Sequence, residues 1–164
     1  MTLDSILLTH AEVAVAVAGF ASVVAVLRRP LTILQRQRFF SILLGSLTQI
    51  LSCLTTVSLM GVGMDGPALW RSASAVTLTL LILVTVVLYL PMRALGTHGI
   101  VVINVPVTYF VYVLFAAMWG TLLANMFVVA APGFGLYYSY MLLGLANLFL
   151  VFADVVVGER EGTS

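Results

Sequence analysis

Few side chains in this 164-residue chain can do chemistry, and they are widely spaced. His10 and Glu12 are the nearest approach to a base with an orienting partner. Proton transfer or nucleophile activation would need the two groups side by side. Two residues apart on a helix, they point to nearly opposite faces. No G-x-S-x-G, H-E-x-x-H or Walker-type loop accompanies them. Cys53 stands alone, so it forms no internal disulfide and makes no zinc site by itself. The chain does not read as an enzyme, and neither a cofactor nor a metal is expected.

The elements that carry these residues are set by composition. The sequence is 62% hydrophobic and 8% charged, against roughly 25% charged in a soluble domain. Water is not the solvent such a surface suits. A helix that crosses the hydrocarbon needs about 20 apolar residues, and five stretches qualify: Ile6–Leu27, Phe39–Met60, Leu69–Leu90, Pro106–Ala130 and Phe134–Val157. Their breaks have the right chemistry: Arg28-Arg29-Pro30, then Gly61 to Pro67 as a tight turn, then Pro91, then Ala131-Pro132-Gly133. Met92–Val105 reads as an interfacial connection, with Pro106 placed for a first helical turn. The first stretch reads as a retained span, because its positive charges follow the apolar run where a secretory signal has them before it. The expected fold is all-α: a polytopic transmembrane bundle of five spans forming one membrane-embedded domain.

Orientation follows from arginine. Arg28, Arg29, Arg36 and Arg38 lie in the first connection, Arg93 in the third and Arg160 in the tail. With five spans these three segments share one side, the cytoplasmic one by the positive-inside rule. Arg71 is the exception. The expectation is N-out/C-in in a cell membrane. A Lys-free, Ala/Val/Arg-rich composition points to a bacterial inner membrane. A net charge of +1 gives no footprint for nucleic acid.

Small and polar residues fall in helical stripes. Span one carries Ala11, Ala14, Ala18, Ala21 and Ala25; span four carries Ala116, Gly120 and Ala124. Span two carries Ser41, Gly45, Thr48 or Gln49, Ser52 and Thr55 or Thr56. Span five aligns Tyr137, Tyr140, Gly144, Asn147, Val151 and Asp154. Such stripes read as interhelical seams or as the lining of a wet path.

An ionisable group at a helix centre costs ~2.5–3.5 kcal/mol on insertion scales, so each asks for a partner or a use. Glu12 on span one and Arg71 on span three enter from the same side, which predicts a neutralising, bidentate pair. His10, Asn125, Tyr137 and Tyr140 lie at similar depth, so these six residues outline a small outward-facing polar pocket. Tyrosines there also suit an aromatic belt. Asn147 and Asp154 mark a second, inner polar site, with Asp154 expected to pair with Arg28, Arg29, Arg93 or Arg160. His10 and His98 fall on opposite sides and cannot share a haem or metal.

The expected role is a scaffold, sensor or accessory subunit that contacts lipid, itself or other membrane proteins through its helices. The alternative is one protomer of an oligomeric channel or small-solute transporter, since five short helices alone can hardly enclose a selective pore.

Overall fold

In the computed structural model, which describes residues 2–27, 33–94, 105–128 and 133–157, the chain forms five helices. They are α1 (Leu3–Leu27), α2 (Ile33–Gly61), α3 (Gly66–Ala94), α4 (Val105–Leu123) and α5 (Phe134–Val157). The last turn of α4 widens into a π-helical turn, Ala124–Val128. All five are long and apolar enough to cross a membrane.

The helices overrun the apolar stretches because hydropathy marks what suits hydrocarbon, not where a helix stops. Arg36 and Arg38, expected in a connection, stand in the first two turns of α2. α3 continues through Pro91 to Ala94. Pro91 removes one backbone donor, and so near the helix end the loss does not break it. Much of the Met92–Val105 connection, with Arg28, Arg29, His98 and Arg160, lies outside the described residues.

The α2–α3 turn follows from its glycines. Met64 N–H bonds to the Leu59 carbonyl at 3.0 Å and Gly63 N–H to that of Met60 at 2.9 Å, the paired bonds of a Schellman cap. Gly63 takes φ +85° there, a conformation a side chain would strain.

α2 and α5 form the centre. They run antiparallel, with Arg38 facing Asp154, Leu148 against Gly45 and Gln49 against Gly144. α1 packs on α2 and to a smaller extent on α5, and touches neither α3 nor α4 among the described residues. α3 and α4 close the other side, meeting largely through the π turn. The expected stripe of α1 faces inward, with Ala14 and Ala21 fully buried. The stripe of α4 does not: Ala116 and Gly120 are exposed.

Polarity is inverted relative to a water-soluble fold. Gln49, Asn125, Thr56 and Thr77 are at most 2% exposed, whereas Phe20, Tyr109 and Phe127 are 65, 69 and 74% exposed. An apolar surface this extensive fits lipid as its surroundings.

Candidate functional site

The buried polar residues form three fastenings, two of them on the α2–α5 seam and the third against α3. At the first, His10 of α1 meets Gln49 of α2, Nε2 to Oε1, at 3.1 Å. An amide oxygen only accepts, so Nε2–H donates. The Gln49 amide then donates to the Tyr140 hydroxyl at 3.4 Å, which links α1, α2 and α5. This contact lies near mid-span, since Gln49 is close to the middle of the Gln35–Gly61 stretch. It fits because residue 144 is glycine: a Cβ there would collide with the Gln49 side chain.

The second fastening centres on the Tyr137 hydroxyl. It accepts from Thr56 at 2.9 Å, lies 2.9 Å from Thr77 Oγ1 and donates to the Ser52 carbonyl at 3.1 Å. One side chain of α5 thus ties down α2 and α3. Tyr137 and Tyr140 are both fully buried and turn into the bundle, so they are no aromatic belt. Trp70, Phe134 and Tyr138 pack around them, with Trp70 and Tyr137 ring centres 5.8 Å apart.

The third is built on the π turn. Asn125, fully buried, donates through Nδ2 to Ser74 Oγ at 2.9 Å and accepts from the Gly133 N–H at 3.0 Å. It joins α4, α3 and the start of α5. The wider turn uses up one extra residue and so resets which α4 side chain faces Ser74.

Towards the other end of the bundle Arg38 and Asp154 form an ion pair at 2.5 Å, with side chains 12 and 13% exposed. Asp154 is therefore paired, but with a residue other than the four expected for it. Arg38 lies inside α2 opposite the last turns of α5, and reading it as a loop residue concealed the match. Asn147, about two turns away along α5, holds a buried Oδ1 without a partner, and the Ser46 hydroxyl on α2 is likewise unpartnered.

Glu12 and Arg71 do not meet. Both are exposed on the outside of the bundle, on helices that do not touch. Their depths differ as well. His10, two residues before Glu12, bonds to Gln49, twelve residues from the end of α2. Thr77, six residues beyond Arg71, shares Tyr137 with Thr56, five residues from that same end. About fifteen residues of helix, roughly 22 Å, separate the two charges along the bundle axis. Burying His10 is also what turns Glu12 outward, since the two lie on opposite sides of α1.

The structure thus brings together His10 and Tyr140 through Gln49, places Tyr137 and Asn125 in separate neighbouring contacts, and leaves Glu12 and Arg71 outside. Sequence reasoning left Ser74 and Thr77 of α3 out of the site. Their signal was weak, because Ser72, Thr79 and Thr85 of the same span carry hydroxyls too. Among the described residues no group of three His, Cys, Asp or Glu side chains could hold a metal ion. An apolar groove of about 400 Å³ lies between α1 and α5, lined by Val13, Ala16, Val17, Phe20, Phe149 and Phe152. None of the hydrogen-bonded polar residues lines it.

In comparison with known proteins, no family model matches the chain, and no curated protein or solved structure is significantly similar to it.

Proposed function

We propose that this chain is a small multi-pass protein of the cell membrane that works through helix–helix contact, as a scaffold, sensor or accessory subunit of a membrane complex. The observation that carries this reading is where the polar and small residues go. His10, Gln49, Thr56, Thr77, Asn125, Tyr137 and Tyr140 are occupied by contacts between the chain's own helices, so no described cluster of polar groups faces an open space. Ala116 and Gly120 of α4, in contrast, sit uncovered, with nothing within 4 Å of a Cβ built on Gly120. Small residues permit close approach of a neighbouring helix in lipid. The arginine distribution supports an N-terminus outside and a C-terminus inside, in a bacterial inner membrane.

Photo-crosslinkers placed at Gly120 and at Leu83, both outward, provide the test. Crosslinks from Gly120 to defined membrane proteins in native membranes are the expected outcome; an absence of crosslinks from every outward face contradicts the reading. Cysteines placed at Asp65 and Thr97 should label from outside and inside respectively, and the reverse pattern overturns the topology.

A second reading has one observation in its favour. The unpartnered Asn147 Oδ1 lies on the same face of α5 as Asp154, as a protomer of an oligomeric ion or solute path would need. It predicts a closed ring of copies by native mass spectrometry with α5 or α2 at the axis, whereas a monomer or a hetero-complex favours the accessory role.

A further inference from the structure

The outward side of α1 carries the exposed charge that lies furthest from a helix end among the described residues, Glu12. Thr9, Glu12, Ala16, Gly19 and Val23 are all exposed, and their spacing of three, four, three and four residues puts them on one straight line. That is the repeat of a helix seam that packs against another helix. The line is small or polar for most of its length. A Cβ built on Gly19 meets nothing within 4 Å, so a second backbone could approach closely there. Ala16 also borders the apolar groove between α1 and α5, where a bulky side chain of the incoming helix would seat.

Glu12 decides what that helix carries. It lies two residues beyond His10, whose contact with Gln49 is near mid-span, so it too stands close to the middle of the span. Among the described residues it has no hydrogen-bond or ion-pair partner. A carboxylate facing lipid at that depth calls for a counter-charge or a donor. A second copy of this chain offers no cation there. Arg71 stands level with the end of α2, Arg36 and Arg38 lie at the opposite end of that helix, and His10 is turned into the core against Gln49. Inverting the copy does not help, because its exposed arginines would still lie towards the ends of the bundle.

We infer that the Thr9–Val23 face of α1, centred on Glu12, is the docking surface for a transmembrane helix of a different protein that bears a basic side chain at the depth of Glu12. The inference rests on the helix-contact reading and names the kind of partner. Charge complementarity fixes the register, and Ala16 and Gly19 give the close approach.

The full-length protein, labelled through Val62→Cys in the α2–α3 turn, is reconstituted in phosphatidylcholine vesicles with acceptor-labelled Leu/Ala helices of 24 residues. One helix carries a single Lys at its middle, a second carries Leu there, and a third carries Glu. Energy transfer should show the Lys helix binding at least tenfold more tightly than either control. Glu12→Gln should remove that preference, and so should Gly19→Leu, which fills open space on the outside and should leave the thermal unfolding of the protein unchanged. Equal binding of the three helices overturns the inference, as does a preference that survives Glu12→Gln. Transfer between labelled copies that Glu12→Gln abolishes also overturns it, by making a second copy the occupant. Crosslinking from Gly120 on α4 is independent of α1. If it persists, only the α1 surface has been lost; if it fails too, the helix-contact reading falls with it.

Discussion

Gly144 and Gly120 are the same residue in helices of similar hydropathy, yet they do opposite things. Gly144 sits on the α2–α5 seam, where its missing side chain makes room for the Gln49 amide and the contacts it makes with His10 and Tyr140. Gly120 lies on the outer surface of α4 with nothing beside it. The same contrast separates the two sides of α1: Ala14 and Ala21 are fully buried against the centre, while Ala16 and Gly19 are uncovered. In lipid there is little hydrophobic drive between helices, so small residues and hydrogen bonds decide which faces meet. That chemistry closes the chain's own bundle, and small residues also lie on surfaces the bundle leaves open.

Mutations on the two kinds of surface should therefore differ in kind. The largest effect is expected for Gly144→Leu, which overfills the seam and displaces Gln49 from its partners, at about 3 kcal/mol of stability in detergent. Arg38→Ala and Asp154→Ala should each cost about 2 kcal/mol, and the double variant less than their sum; additive losses would remove the ion pair as a fastening. Tyr137→Phe deletes the hydroxyl that joins three helices and should cost about 1–2 kcal/mol, read as a lower unfolding midpoint. Glu12→Ala and Arg71→Ala should combine additively, because the groups are far apart; coupling between them would contradict the geometry. Gly120→Leu should be the mildest, within about 0.5 kcal/mol, and its effect should appear in crosslinking to partners instead.

The five helices were legible in the sequence because crossing the hydrocarbon demands an apolar length that few other architectures need. Their ends were less so. Arg36 and Arg38 look like loop residues only if a charge is taken to end a helix, and in fact they belong to the first two turns of α2. The inward stripes of α1, α2 and α5 could be read from periodicity, since small and polar residues recur at helical steps. Which stripe meets which could not, because periodicity gives a helix its faces but not its neighbours. For that reason Ala116 and Gly120 looked like an internal seam and turned out to face outward. The same limit produced the pairing of Glu12 with Arg71: opposite charges entering from one side, but at different depths and on helices that do not touch. Tyr137 as a hub needed Thr77 of α3, whose register against α5 no local signal fixes.

The central claim is that the polar residues between α2 and α5 are fasteners shut off from water, not the wall of a path. Its most direct test is Ser52→Cys in a Cys53→Ala background, exposed to a membrane-impermeant thiol reagent from each side of sealed vesicles in turn. Ser52 is fully buried and its carbonyl is held by Tyr137, so the account predicts no labelling from either side while the protein stays folded. Rapid labelling from one side would place water at the seam and contradict it.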